Sequence, residues 1–279
     1  LNTNALEWKR PKNKRLIIGT HTGRSGLRWI ADVHHNHNKT FNLSEPYPLL
    51  ESFFRYSSFN NIKIDNSGFF SLLQFKINEL YETNDCVFLA SPWLSHGIEI
   101  VDKFLKPDYY ITVIRNPRNV INSLVSKGWY ENKSVNNENN KIPGPQIIYK
   151  EPHHLFSRIV PNDFFYNEWN KLTPVGKATW FWCSTNIKIL NSYKNLNKNN
   201  ILKFRLEEID QNFEWYKKYA NYFNLKPILN RNSFLHIKDK TININRKKKL
   251  INWSKKETED YVKIINKFNF DYNNFKSSF

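Results

Sequence analysis

Four short apolar runs punctuate an otherwise polar chain: RLIIGT (Arg15–Thr20), CVFLA (Cys86–Ala90), YYITVI (Tyr109–Ile114) and ILKFR (Ile201–Arg205). Each is too short for a helix and largely apolar without alternation, the pattern of a strand buried on both faces. Behind each follows a longer stretch with apolar residues at helical spacing, over residues 27–35, 97–105, 117–127 and 207–223. This alternation predicts an α/β fold, a single domain over residues 1–279 with a central parallel β-sheet flanked by helices. Ligands of such sheets bind beyond the carboxyl ends of the strands.

The pattern dissolves over residues 128–174, rich in Asn, Pro, Tyr and Trp, which predicts an insert that works as a lid. Helical spacing returns with GKATWFWCSTNIKILNSYKNL, and a last helix is expected near 255–268. Residues 1–14 read as a polar, basic tail.

Charge adds the kind of partner. The chain carries 42 Lys and Arg against 25 Asp and Glu, a net +17, so its ligands should bear phosphate, sulfate or carboxylate. Asn, Lys, Phe, Ile and Tyr are abundant together, as biased coding DNA produces, and single lysines or asparagines therefore carry little weight. The only two cysteines, Cys86 and Cys183, lie far apart, and Cys86 opens a core strand. That usage points to a reducing compartment, the cytoplasm, with a lumenal Golgi-type domain as the alternative. No apolar run is long enough to span a membrane.

The first strand breaks into the turn GTHTGRSG and then a helix, the arrangement in which P-loops hold phosphate. A Walker A loop needs GxxxxGK[ST], whereas here the loop is one residue short and Arg24 stands in place of the lysine. An ATPase or kinase is disfavoured, but a turn with Gly23 and Gly26, a helix N-terminus and the planar fork of Arg24 still suit an oxyanion.

A second stretch is in register with the first. In YYITVIRNPRNVINS the strand ends at Arg115, Asn116 can cap, and Pro117 suits the first helical position. Ser123 follows Asn116 by seven residues, two helical turns, so its hydroxyl faces back toward Arg115 and the pair can grip one phosphate.

With both stretches in place, the chain resembles the sulfotransferases that use 3′-phosphoadenosine 5′-phosphosulfate (PAPS). RSGLRW (24–29) is similar to that family's [KR]-S-G-T-T-W, which holds the 5′-phosphosulfate, and RNPRNVINS (115–123) to its R-x7-S, which holds the 3′-phosphate. Leu27 and Arg28 replace the two threonines, so the resemblance implies 5′-phosphate contacts from backbone N–H groups, Arg28 or Thr22. Trp29 keeps the position whose indole stacks on adenine in relatives. NSF (232–234) resembles the T-S-F turn bordering the adenine, which implicates Ser233 and Phe234. RKKKLINW (246–253) resembles R-K-G-x-x-G-x-W, which closes over the 3′-phosphate, implicating Arg246, Lys247 and Lys248. ILKFRLEEI looks like the family's strand ending in R/Y-x-E-D/E-h.

The resemblance implies in-line transfer of a sulfuryl group from PAPS to a hydroxyl or amine acceptor, giving adenosine 3′,5′-bisphosphate (PAP), with no metal required. Cofactor-binding residues are then Thr22, Gly23, Arg24, Ser25, Gly26, Leu27, Arg28, Trp29, Arg115, Ser123, Ser233, Phe234 and Arg246 to Lys248. Arg24 would also neutralise the leaving oxygen. The acceptor needs a base. Glu45, 21 residues after Arg24, is the first candidate, at a spacing similar to that of the base glutamate in relatives. It reads equally as a carboxylate at a helix start beside Pro46. His96 is the second, displaced from the family's K-T-H-x-P histidine. His34, His35 and His37 suit a helix C-terminus better than a metal.

Aromatics of the insert, among them Trp129, Tyr130, Tyr149, Phe156, Phe165, Tyr166 and Trp169, suit a carbohydrate or phenol acceptor, with His153 and His154 beside them, although aromatic runs are more often core. Two rival readings are a basic protein binding single-stranded nucleic acid and a PAPS-binding relative without activity. The first is weakened because the motifs form two phosphate sites rather than a basic stripe, so no specific nucleic acid is expected.

Overall fold

The structure, a computed structural model, describes residues 8–37, 39–130, 158–196, 199–240 and 252–279, and the statements below concern these. Five parallel strands form one sheet in the order β2-β3-β1-β4-β5. They are β1 (Arg15–Thr20), β2 (Thr40–Ser44), β3 (Cys86–Ala90), β4 (Tyr109–Ile114) and β5 (Ile201–Arg205). The helices are α1 (Leu27–His35), α2 (Pro48–Phe59), α3 (Ser67–Tyr81), α4 (Ile98–Leu105), α5 (Pro117–Val125), α6 (Tyr166–Asn170), α7 (Pro174–Leu196), α8 (Leu206–Ile209), α9 (Phe213–Tyr222), α10 (Arg231–Lys240) and α11 (Lys255–Phe268).

The sheet is buried on both faces, as its apolar runs predict. Ile17, Phe88 and Ile111 pack against α1 and α9. Leu16, Ile18, Val87 and Leu89 face α2, α3 and α4 on the other side. A third cluster joins α5, α6, α7 and α11. The β5 edge is covered by the C-terminal tail, where Ser278 N–H donates to the Lys203 carbonyl (2.8 Å) and Ser277 Oγ accepts from Arg205 N–H (3.0 Å). Paired in this way, the edge cannot recruit a foreign strand.

Central β1 pairs with β3 on one side and β4 on the other, so the strand order reverses at its carboxyl end. Such a switch point opens a crevice where loops diverge. The loop after β1 and Arg115 after β4 both begin there.

The sequence differs from the structure in particular places. The helix expected over 207–223 is broken into α8 and α9, because Gln211 is left-handed (φ 61°) and Asn212 caps α9 by accepting the Trp215 N–H. The NSF segment, expected as a turn, is the first turn of α10, whose start Asn230 caps by accepting from Ser233 N–H (2.9 Å). His96 ends a short 3₁₀ turn (Pro92–His96) instead of lying on the following helix. Within the described part of the insert, Tyr130, Phe165 and Trp169 are core residues, while Phe164 is 90% exposed. Tyr149, Phe156, His153 and His154 lie outside the described residues.

Candidate functional site

The loop from β1 to α1 is shaped by its own residues. Gly23 (φ 83°), Arg24 (φ 58°) and Gly26 (φ 93°) are all left-handed, which reverses the chain within a few residues. Inside the turn, the buried His21 accepts the Gly23 N–H at Nδ1 (3.0 Å) and the Ser25 hydroxyl at the same atom (3.0 Å). An acceptor Nδ1 means a neutral ring with its proton on Nε2. Its basicity agrees, pushed down to about 3 by burial first and by the charges of Arg55 and Arg24 next. Ser95 fastens the start of the loop to the 3₁₀ turn after β3: its hydroxyl accepts the His21 N–H (3.0 Å) and donates to the His21 carbonyl (3.0 Å).

Helix α1 therefore starts at the switch point with Gly26 as its N-cap, no side-chain cap and no acidic residue in its first turn. Its N-terminal N–H groups and dipole favour an anion there.

Arg24 and Arg115 converge on this turn. The Arg24 Nε donates to the Ser123 hydroxyl (2.8 Å), and Arg115 Nη1 donates to the Arg24 carbonyl (3.1 Å). The two charges sit close enough that, after burial, Arg115 is the next cause lowering the Arg24 pKa. Arg115 is likewise lowered by burial, which outweighs the opposing charges of Glu207 and Asp210. Its Nε is buried with no hydrogen-bond partner among the described residues. Two adjoining guanidiniums, a hydroxyl and a helix N-terminus make a site whose missing complement is an oxyanion.

The junction of β5 and α8 braces both halves. A Cβ on Gly26 would lie 2.6 Å from Leu206 Cδ1, so α1 begins in contact with that junction. Glu207 accepts the Asn116 N–H (3.0 Å), and Asn116 caps α5 by accepting from Arg118 N–H (3.0 Å). Trp253 ties the approach to α11 onto α5: its Nε1 donates to Asn122 Oδ1 (2.7 Å) and its ring lies 4.5 Å from the Arg118 guanidinium.

Other expected residues are placed as follows. Ser25 is buried, and the Thr22 hydroxyl is turned onto the Gly23 carbonyl (3.0 Å). Leu27 points into the core against Gly19, and Arg28 is exposed. Backbone N–H groups and Arg24 are thus what the loop offers an anion. Trp29 is 5% exposed, packed against Trp215 (ring centroids 5.7 Å apart) and Phe234 (5.8 Å). Trp29 and Phe234 do meet, but inside the core between α1, α9 and α10, while Ser233 is exposed on the helix start. Arg246, Lys247 and Lys248 lie outside the described residues.

Of the two candidate bases, Glu45 follows the carboxyl end of β2, half-buried and left-handed (φ 46°). A non-glycine residue in that conformation costs about 1–2 kcal/mol, and ten of the described residues adopt it, so the conformation alone does not mark Glu45 as functional. His96 is buried against the Phe59 ring, with Nε2 3.5 Å from the Thr185 hydroxyl. Burial, then Arg55 and Lys188, hold it neutral. His34 is a core residue bonded to the Tyr219 hydroxyl, and among the described residues no cluster of His, Cys, Asp or Glu could hold a metal.

Reading the sequence missed three residues around this end of the sheet. His21 lies inside the quoted loop, and only the folded turn reveals its role. Glu51 is fully buried, accepting the Tyr47 N–H (2.8 Å) and the Ser91 hydroxyl. Burial pushes its carboxyl up to about 7, against the hydrogen bonds from Ser91 and Tyr47. Arg55 is buried in the middle of α2; its one signal was an arginine within the apolar stretch SFFRYSSF. A cleft of about 660 Å³ lined by Arg10, Lys14, Lys106 and Asp108 opens at the opposite, amino end of the strands, away from all of these groups.

Both cysteines are buried and free. Among the described residues no helix is long and apolar enough to cross a membrane.

No protein-family model matches this chain, and no curated protein matches it. Among solved structures, it is similar to the sulfotransferase domain from the curacin biosynthetic pathway, with 13% identity, a TM-score of 0.49, and 95% of this chain and 93% of that one covered. The sulfotransferase domain from the Synechococcus PCC 7002 olefin synthase matches with 14% identity and a TM-score of 0.46, over 95% and 98% of the two chains. A sulfotransferase from Alicyclobacillus acidocaldarius matches with 10% identity and a TM-score of 0.45, again over 95% and 98%.

Proposed function

We propose that this chain is a sulfotransferase that moves a sulfuryl group from PAPS to a hydroxyl or amine acceptor. The observation that carries the reading is the convergence of Arg24, Arg115 and Ser123 on the N-terminus of α1. Two phosphate-type sites side by side, one per strand end, suit a nucleotide phosphorylated at both 3′ and 5′ positions.

In this reading the N–H groups opening α1 hold the 5′-phosphosulfate, while Arg115 and Ser123 hold the 3′-phosphate. Arg24 has five N–H donors and uses Nε on Ser123, which leaves its terminal nitrogens to stabilise the negative charge that grows on the leaving oxygen. Adenine lies at the edge of the Trp29 and Phe234 cluster, beside Ser233. The loop is fixed before ligand arrives by His21 and Ser95, so little reorganisation is needed as charge develops.

Glu45 serves as the base that takes the acceptor proton. His96 is the weaker candidate, because burial and the charges of Arg55 and Lys188 lower its basicity. Lone-pair attack by the acceptor oxygen or nitrogen on sulfur then forms the new S–O or S–N bond as the phosphate oxygen leaves.

The reading is tested by incubating the protein with radiolabelled PAPS across a panel of sugar, phenol and amine acceptors. Wild type should label at least one of them, and Glu45→Gln should lower turnover about 10²–10⁴-fold, the range for loss of a general base. His96→Ala should lower it less than tenfold. Transfer to no acceptor by a protein that binds PAP would identify a binder without activity, and unchanged turnover in Glu45→Gln would remove the assigned base.

A further inference from the structure

Resting on the sulfotransferase reading, we propose that the acceptor itself is anionic, carrying a carboxylate or sulfate, and that the guanidinium of Arg55 binds that group beside the phosphosulfate loop.

Arg55 sits in the middle of α2 and is 1% exposed. Its guanidinium carbon lies 5.3 Å from the Trp93 ring and 4.8 Å from the Phe181 ring. Its Nε and Nη2 are buried with no hydrogen-bond partner among the described residues. Aromatic faces offset part of the desolvation of a cation, but they leave its N–H donors unmet. A buried guanidinium is ordinarily completed by a carboxylate. Glu51 is nearby on the same helix, yet it is committed to Ser91 and Tyr47. Its carboxyl is raised, not lowered, so it does not act as the counter-ion.

The neighbourhood adds positive charge. Arg158 is 4% exposed and lies 3.3 Å from the centre of the Trp129 ring, near enough to lower the Arg55 pKa. The Tyr130 phenol and the Glu45 carboxylate act on Arg55 in the opposite sense. A phenol is neutral at ordinary pH, so Glu45 is the standing negative charge of the two. Arg158 and Glu45 thus act on Arg55 in opposite senses, and neither meets its Nε or Nη2.

Position identifies which ligand would meet it. Arg55 lies over Trp93, whose 3₁₀ turn also carries Ser95, the residue bonded to His21 at the start of the loop, and the charges of both Arg55 and Arg24 reach His21. An anion at Arg55 is therefore close to the phosphosulfate loop but on its α2 side, within electrostatic reach of Glu45, the assigned base. The planar fork of arginine suits two oxygens of one carboxylate or sulfate.

The test is calorimetric titration of the full chain saturated with PAP, using probe pairs that differ only in charge: 4-hydroxybenzoate against 4-hydroxybenzamide, and galactose 6-sulfate against galactose. One charged probe should bind about tenfold or more tighter than its neutral partner, as the loss of a charge-assisted contact implies. The two pairs tell carboxylate from sulfate. Arg55→Gln should erase the preference with PAP affinity within about twofold, and Arg55→Lys should keep part of it. Equal binding of charged and neutral probes by wild type, no charged probe binding at millimolar concentration, or a preference that survives in Arg55→Gln would each overturn the proposal. The wild-type comparison decides even where Arg55→Gln fails to fold. Failure of PAP itself to bind would instead strike the donor reading.

Discussion

Gly26→Ala tests whether the start of α1 is held where it is by the backbone and by contact with the β5–α8 junction. Two separate costs are expected. Alanine at φ 93° is left-handed, which costs an L-residue about 1–2 kcal/mol. Its Cβ would also lie 2.6 Å from Leu206 Cδ1 and 2.9 Å from Cδ2, an overlap that forces Leu206 to shift. Those atoms end a flexible, half-buried side chain that can swing aside, so the overlap adds about 1 kcal/mol, the low end for overpacking, and the sum is about 2–3 kcal/mol. Gly23→Ala is the internal control, because Gly23 is also left-handed (φ 83°) but nothing lies within 4 Å of its Cβ position. It should show the conformational cost alone, about 1–2 kcal/mol. Urea unfolding of both variants separates the terms. A double-mutant cycle that combines Gly26→Ala with Leu206→Ala isolates the contact, and a favourable coupling of about 1 kcal/mol is expected between the two substitutions. Equal costs for Gly23→Ala and Gly26→Ala, with a coupling near zero, would refute the bracing role of Leu206.

Further outcomes follow from other parts of the molecule. The Glu51 carboxyl, raised to about 7, holds its proton more tightly in the folded chain than in the unfolded one, where its value is near 4.5. Its stabilising contribution is therefore full below about pH 4.5 and lost as pH rises through 7, a change on the order of 3 kcal/mol. The buried neutral His21, His34 and His96 push the other way below about pH 6.5, so the reading is a difference: in urea unfolding from pH 5 to 7.5, wild type should lose about 2 kcal/mol of stability relative to Glu51→Gln, and a difference that stays constant with pH would contradict the buried carboxyl as its source. Trp253→Ala removes both the bond to Asn122 and the stacking on Arg118, and should destabilise the chain by about 2 kcal/mol in the same assay, with Arg118→Ala costing about 1 kcal/mol or less. Ser123→Ala should weaken PAP about tenfold and leave the unfolding midpoint nearly unchanged, because its hydroxyl meets Arg24 across the site.

The loop that carries Arg24 and the strand end that carries Arg115 were legible in the sequence because their physics is local. A buried strand, a glycine turn and a helix fix where Gly23 to Gly26 stand, and two helical turns fix Ser123 relative to Asn116. The four strands read as apolar runs coincide with β1, β3, β4 and β5, and the last helix coincides with α11. β2 escaped because TFNLS alternates with polar residues, as an edge strand does, and has no apolar run to betray it. α2 and α3 escaped with it, and so did Arg55 and Glu51.

The surroundings of Glu45 were not legible for a different reason. Arg55, His21 and Glu45 come from three separate segments, and Arg55 is brought toward His21 by the packing of α2 on the 3₁₀ turn after β3, which carries both Trp93 and Ser95. No local spacing encodes that packing. Trp29 shows the reverse case: its position in the motif was clear, yet contacts with Trp215 and Phe234 from distant helices decide how much of its ring is open.

Calorimetric titration of PAP and of 5′-AMP into wild type and Arg115→Ala tests the central claim most directly, since the two nucleotides differ by the 3′-phosphate assigned to Arg115. PAP should bind wild type at micromolar concentration and at least tenfold more tightly than 5′-AMP. Arg115→Ala should weaken PAP about 10–100-fold, the cost of one charge-assisted contact to phosphate, and leave 5′-AMP nearly unchanged. No PAP binding, or an Arg115→Ala variant that binds PAP as wild type does, would contradict the account.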